Sequence, residues 1–306
     1  MAFPGIAVGL VLFATGAGAA TPITLANHRA VYDLSLAESS GTRAVESARG
    51  RIVIDFTGDA CKGYTMQTRQ VTVLESGETG SRTSDLRNST FESGDGRSYR
   101  FKTSTVLNGT PGQAVDGTAE SGADLLKVKL KEPKRDQFQD AGEVLFPTVH
   151  MRRLIQAARD GQTTVSVKVF DGSDDGHKVY DTLAVIGRQV PAPAASDKAA
   201  ERDKPLRDGP MATVPRWPVT LSYYIPGEGE RTPIYVRVCG GSAPMRRARC
   251  PSTDFCTEIV HSGPSGEPLN QILDVRVKEC REAPRFMTSA TSGWSWANPS
   301  QQRRRD

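Results

Sequence analysis

The residues able to do chemistry are few, and their spacing argues against a built catalytic or metal centre. His28, His150, His177 and His261 fall on separate segments, and no pair stands at a ligand spacing. Neither a Gly-x-Ser-x-Gly elbow nor a Ser-x-x-Lys pair occurs, so nothing presents an activated serine. Asp171-Gly172-Ser173-Asp174-Asp175-Gly176 imitates the first half of a calcium loop, with oxygen-bearing side chains at alternate positions and glycine at the sixth. Its twelfth position is Thr182, which lacks the bidentate carboxylate such loops use, so the segment reads as a polar hairpin turn. Of the five cysteines, Cys239, Cys250, Cys256 and Cys280 crowd the last part of the chain and Cys61 stands alone in the body. Their gaps do not repeat the short paired spacings of structural zinc sites, whereas disulfides suit thiols in an oxidising compartment. An odd count leaves at least one thiol without an internal partner. The expected sites are therefore no catalytic residue, no cofactor and no metal.

The first twenty residues carry no charge, run apolar from Ile6 to Phe13 and end in Ala17-Gly18-Ala19-Ala20. That pattern predicts a signal peptide over residues 1–20, and so an exported protein in an oxidising compartment. The 306 residues hold 39 Lys and Arg against 35 Asp and Glu, too small an excess to indicate nucleic acid as partner. The excess is localised: eleven basic and seven acidic residues lie from Arg237 onward, leaving 28 of each before it.

The elements between these landmarks read mostly as strands. Ala30, Tyr32, Leu34 and Leu36 share one face of a segment from His28 to Ala37, as do Ile52, Ile54 and Phe56 of the next. Leu126, Val128 and Leu130 interleave with Lys127, Lys129 and Lys131, giving one apolar and one charged face. With Tyr64–Leu74, Arg97–Leu107, Thr164–Asp171, Val179–Ile186, Trp217–Ile225 and Thr232–Val238 the chain carries roughly ten strands, antiparallel on their turn lengths because no repeated helical crossover separates them. One helix interrupts them. Pro147 suits a first helical position, Val149, Leu154, Ile155 and Ala158 supply an apolar stripe, and Gly161 caps the far end. Residues 190–215, rich in proline and alanine, read as a flexible insertion.

Six segments in this order resemble the cell-envelope integrity protein B family of periplasmic proteins: HRAVYDLSL at 28, RGRIVIDFTGDACKGYTMQTRQV at 49, SDLRNSTFESGDGRSYRF at 84, LFPTVHMRRLIQAARDGQ at 145, VFDGSDDGHKVYDTL at 169 and RWPVTLSYY at 216. The resemblance covers about two thirds of the chain. It implies a mainly β fold, a single large, highly curved antiparallel sheet wound as a β-spiral around one α-helix, similar in outline to lipoprotein carriers. It also implies a non-enzymatic role in envelope integrity and a disulfide joining Cys61 to a cysteine near the C-terminus, for which Cys280 is the positional match.

The resulting organisation is a signal peptide (1–20), a β-spiral domain (21–238, with the insertion 190–215) and a tail (239–306) that is divergent or read in a shifted frame, poorly ordered and without an alternating face. The expected role is a soluble periplasmic protein that binds a protein, peptide or acyl ligand on its concave sheet. Its partners are envelope proteins or a lipid or lipoprotein, and its attachment to the membrane is peripheral at most. The alternatives are a periplasmic lipid or lipoprotein carrier and an envelope hydrolase.

Overall fold

The computed structural model describes residues 23, 25–39, 45–77, 80–189, 216–225, 229–230, 234–239, 257–260 and 271–282. The expected signal segment, the insertion 190–215, Cys250, Cys256 and His261 lie outside them.

The strands in chain order are β1 (His28–Ser39), β2 (Ser47–Asp59), β3 (Gly63–Ser76), β4 (Gly80–Glu92), β5 (Ser98–Leu107), β6 (Thr110–Ser121), β7 (Leu125–Glu132), β8 (Asp136–Ala141) and β9 (Val144–Leu145). The helix α1 (Pro147–Arg159) follows, and then β10 (Thr164–Val169), β11 (Tyr180–Ile186), β12 (Arg216–Ile225), β13 (Gly229–Glu230), β14 (Ile234–Cys239), β15 (Thr257–Val260) and β16 (Gln271–Glu282). The fold is thus mainly β with one helix among the described residues. A meander of consecutive hairpins, β1 to β8, forms one antiparallel sheet with β16 added at the β1 edge. The remaining strands form a second sheet in the order β15-β14-β12-β11-β10-β9, with β13 on β12 and only the short β9–β10 pair parallel. Gly142 (φ 94°) turns the β8–β9 corner, where the chain passes from one sheet to the other.

Alternation explains which face turns inward. Leu126, Val128 and Leu130 are buried while Lys127, Lys129 and Lys131 are exposed, and Tyr99 and Phe101 are buried between exposed Arg100 and Lys102. The two sheets and the helix close over two main apolar clusters. One joins Phe56 and Tyr64 of the first sheet, Leu154, Ile155, Ala157 and Ala158 of α1, and Val165, Ala184, Ile186, Trp217 and Val219 of the second. The other joins Tyr99, Phe101, Val115, Leu126, Val128 and Leu130 to Phe146 and Phe170. Its rings meet in stacked and edge-on pairs, Tyr99–Phe146 at 5.0 Å and Phe101–Phe170 at 5.4 Å between centroids. The helix lies between the sheets, sheltered as the curved-sheet reading expects. Its C-terminus closes on Gly161 (φ 73°), with Gln162 N–H donating to the Ala157 carbonyl at 2.9 Å.

Two parts of the strand series were not read from the sequence. Beyond Val238, read in the sequence as a tail without an alternating face, β15 pairs with β14 and β16 pairs along nearly the whole of β1. Leu273, Val275 and Val277 alternate with Asp274, Arg276 and Lys278 in the sequence, and the register sets Val277 opposite the buried Tyr32 and Val275 opposite the buried Leu34. The expected strand series also lacked β4, β6 and β8, the last of which buries no residue fully. β4 is polar along much of both faces, and β6 carries only Val115, Gly117 and Ala119 on its inner side, where Phe101 leaves no room for a larger side chain at Gly117.

Candidate functional site

The site with the clearest shape is a cleft of about 110 Å³ between the inner face of β1–β5 and the first turns of α1. Alternation places its walls: His28 and Tyr32 on β1, Ile54 and Phe56 on β2, Tyr64 and Met66 on β3, Thr90 and Glu92 on β4 and Tyr99 on β5 all point to the side covered by the helix. Leu25, Pro147, Thr148 and Met151 close the other side. The lining is apolar apart from His28, Thr90, Glu92, Thr148 and the tyrosine hydroxyls, and it holds neither serine nor cysteine.

Glu92 anchors this cleft and was not foreseen. Its carboxylate is 1% exposed and accepts the backbone N–H groups of Thr148 at 2.7 Å and Val149 at 2.9 Å, both in the first turn of α1. The helix needs such a partner, because its N-cap residue is Phe146, no side chain of its own caps it and no acidic residue lies in its first turn. A strand carboxylate thus does for α1 what an adjacent Asp or Ser ordinarily does, and the positive end of the helix dipole meets it. Burial pushes the Glu92 carboxyl above the usual glutamate range, against the opposing pull of the Thr148 and Val149 N–H groups. A helix opening on Leu145-Phe146-Pro147, without a local cap, was the sequence signal for a distant acid.

His28 is buried, packs at 5.4 Å from the Phe56 ring and has its pKa lowered chiefly by that burial. Its Nδ1 lies 3.0 Å from the Ala26 carbonyl, which can only accept, so Nδ1 carries the proton. Tyr64 stacks on Phe56 at 5.2 Å, and its hydroxyl accepts the Leu25 N–H at 3.3 Å. The polar groups of the cleft are thereby engaged in holding its walls, and what they leave is an apolar pocket.

The other expected residues disperse. His150 is buried on α1, with Nε2 lacking a hydrogen-bond partner among the described residues, and desolvation lowers its pKa to about 4. His177 is on the surface, its Nε2 3.0 Å from Asp136 and its ring 5.4 Å from that of Phe138. The Asp171–Gly176 segment is the β10–β11 turn, and its oxygens are used internally. Ser173 N–H donates to Asp171, the Tyr180 hydroxyl donates to Asp174 at 3.2 Å, and Lys178 stands 3.2 Å from the same carboxylate. Among the described residues no group of three acidic, histidine or cysteine side chains is arranged to hold a metal ion. The turn is more deeply seated than a surface hairpin: Gly172 lies against the Phe101 ring and Gly176 against Val115 and Leu130. Cys61 sits in the β2–β3 turn, its N–H donating to Asp59 at 2.8 Å, and Cys280 lies on β16 opposite Ala30.

Comparison with known proteins places this architecture. A crystal structure titled as a β-barrel-like protein of domain of unknown function DUF1849, from Brucella abortus, superposes with a TM-score of 0.70 at 26% identity, covering 86% of this chain and all of that one. Cell envelope integrity protein EipB of Brucella abortus (strain 2308) is 34% identical over 224 residues, 73% of this chain and 77% of that protein. The profile of the EipB-like family matches residues 19–238, which takes in β1 to β12, the helix and all but the last residue of β14. The chain belongs to the EipB-like family.

Proposed function

We propose that this protein maintains the cell envelope as a non-enzymatic periplasmic binder, and that the cleft under α1 receives one apolar side chain of an envelope protein. The size of the cleft carries the reading. At about 110 Å³ it is well below the roughly 300–1,000 Å³ of sites that enclose a small-molecule ligand. A whole acyl chain would need the volume that α1 fills, and Glu92 ties that helix to β4. One leucine- or phenylalanine-sized anchor entering Leu25, Ile54, Phe56, Met66 and Met151 gains about 1.5–3 kcal/mol by apolar transfer, with the surrounding rim adding the rest. The envelope role rests on kinship with the Brucella protein named for envelope integrity, and the periplasmic address on the expected export segment.

The test is complementation of a deletion strain that has become sensitive to detergent. Wild type restores resistance, whereas a Met66→Trp variant of unchanged melting temperature, its cleft filled, does not. Restoration by that variant sinks the reading. An acyl adduct on the purified protein in native mass spectrometry would favour a carrier instead.

The bond expected from Cys61 belongs to the same reading. We propose a bond from Cys61 to Cys280, supported by β16 lying in the sheet whose β2–β3 turn carries Cys61. Non-reducing peptide mapping is expected to return a Cys61–Cys280 linked peptide; linkage to Cys239, Cys250 or Cys256 would replace it.

A further inference from the structure

The outer face of the first sheet carries a second hollow, of about 260 Å³, on the opposite side from the helix. Its polar lining differs in kind from the cleft. Arg100 and Lys102 of β5 and Lys131 of β7 surround it with the hydroxyls of Thr65, Ser89 and Thr118, and Asp116 is its one carboxylate. Three cations to one anion leave a net positive hollow.

Its cations are positioned by the fold. The guanidinium of Arg100 lies over the Phe91 ring, 4.6 Å from the centroid, which fixes the plane of its donors. Lys102 and Lys131 each stand 3.5 Å from a different oxygen of Asp116, so one carboxylate gathers two ammonium groups at the rim. The register supplies the reason that Lys131 reaches there. Gly117 pairs with Leu130, so alternation carries Lys131 to the outer face beside Asp116, and the pairing of Asp116 with Glu132 makes Lys131 the extra residue of a β-bulge there. Lys127 and Lys129 continue the positive row along the same face.

We propose that this hollow is an oxyanion site for a phosphate group. A forked guanidinium, two ammonium groups and three hydroxyls offer more donors than Asp116 can accept, and a tetrahedral anion accepts from several directions at once. The same chemistry is presented by free inorganic phosphate and by the phosphodiester of an anionic lipid headgroup. The site does not depend on the cleft beneath α1, and either can fail without the other.

The experiment uses the full chain with two probes. Calorimetric titration with inorganic phosphate measures the site itself, and co-sedimentation with phosphatidylglycerol vesicles against phosphatidylcholine vesicles measures headgroup capture. The Lys102→Gln/Lys131→Gln variant is expected to weaken phosphate binding about tenfold or more, while Lys62→Gln, on the exposed β2–β3 turn, leaves it unchanged. Both variants replace exposed side chains, and circular dichroism checks that each is folded. Capture by phosphatidylglycerol vesicles that falls with added salt and is lost in the double variant assigns the site to a lipid headgroup. Phosphate binding without vesicle capture assigns it to a free oxyanion. Wild-type protein that binds neither probe, or a double variant that binds as wild type does, overturns the proposal.

Discussion

Glu92 holds the Thr148 amide at 2.7 Å, so the last residue of β4 fixes the first turn of the only helix among the described residues. This one contact couples the curved sheet to the element that fills it and sets the depth of the cleft. Replacing Glu92 by alanine leaves two buried N–H groups without acceptors and is expected to cost about 2–4 kcal/mol. Glutamine keeps one acceptor oxygen but turns its amide hydrogens toward the second N–H, for about 1–2 kcal/mol. Urea midpoints of the three proteins check the order; equal midpoints would remove Glu92 from any structural role.

The pH dependence separates this carboxylate from the buried histidine on the same helix. Burial raises the Glu92 pKa, so the folded state holds its proton to higher pH than the unfolded chain does. Its contribution is greatest at low pH and declines as pH rises above the ordinary glutamate range. His150 acts in the opposite sense. With a folded pKa near 4, its stabilisation is full above the ordinary histidine value of 6.5 and is lost as pH falls toward 4, by about 3 kcal/mol. His150→Leu removes both the titration and the unpartnered Nε2, and is expected to flatten the acid limb of stability between pH 6.5 and 4. Denaturation series at several pH values check this, and an unaltered acid limb would assign the loss to other groups.

The Asp171–Gly176 turn is expected to be intolerant of a single methyl. At Gly172, φ is +70° and an added Cβ would come within 2.4 Å of the Phe101 ring, itself buried in the aromatic cluster. Gly172→Ala therefore combines a left-handed backbone with overpacking, for about 2–4 kcal/mol. Gly142→Ala, with φ +94° and nothing within 4 Å, incurs only the backbone part. The difference between the two melting temperatures isolates the contact with Phe101, and equal losses would show that the turn does not bear on the ring.

How much of this was legible in the sequence depended on whether each residue's partner is local. β7 could be read because Leu126, Val128 and Leu130 alternate with lysines over a single strand, and α1 because Pro147 and Gly161 mark its ends within the segment. β4 could not, since its inner face ends in Thr90 and Glu92, residues that only make sense once the helix N-terminus lies over them. β16 was masked by its surroundings: Leu273, Val275 and Val277 do alternate, but they follow a stretch rich in proline, arginine and cysteine. The cleft needed five strands and the helix together, and the outer hollow needed the register that sets Arg100 and Lys102 of β5 beside Asp116 of β6 and Lys131 of β7.

The proposed anchor site makes a last prediction about the cleft that does not depend on a phenotype. Met66 is partly buried, lines the cleft and packs against both the Phe56 cluster and the Tyr32–Ile54 cluster of the first strands. A tryptophan there fills the space from β3, the wall facing Met151, and leaves the Glu92 clamp untouched. If the cleft is empty in the free protein, Met66→Trp adds apolar contact without displacing a neighbour, and the melting temperature is expected to hold or rise by a few degrees. If α1 already packs tightly against Met66, the same substitution overpacks the helix and stability falls by about 1–3 kcal/mol. A fall of that size, with loss of the Thr148 and Val149 amide protection in hydrogen exchange, would show that no cleft exists for a partner's side chain to enter.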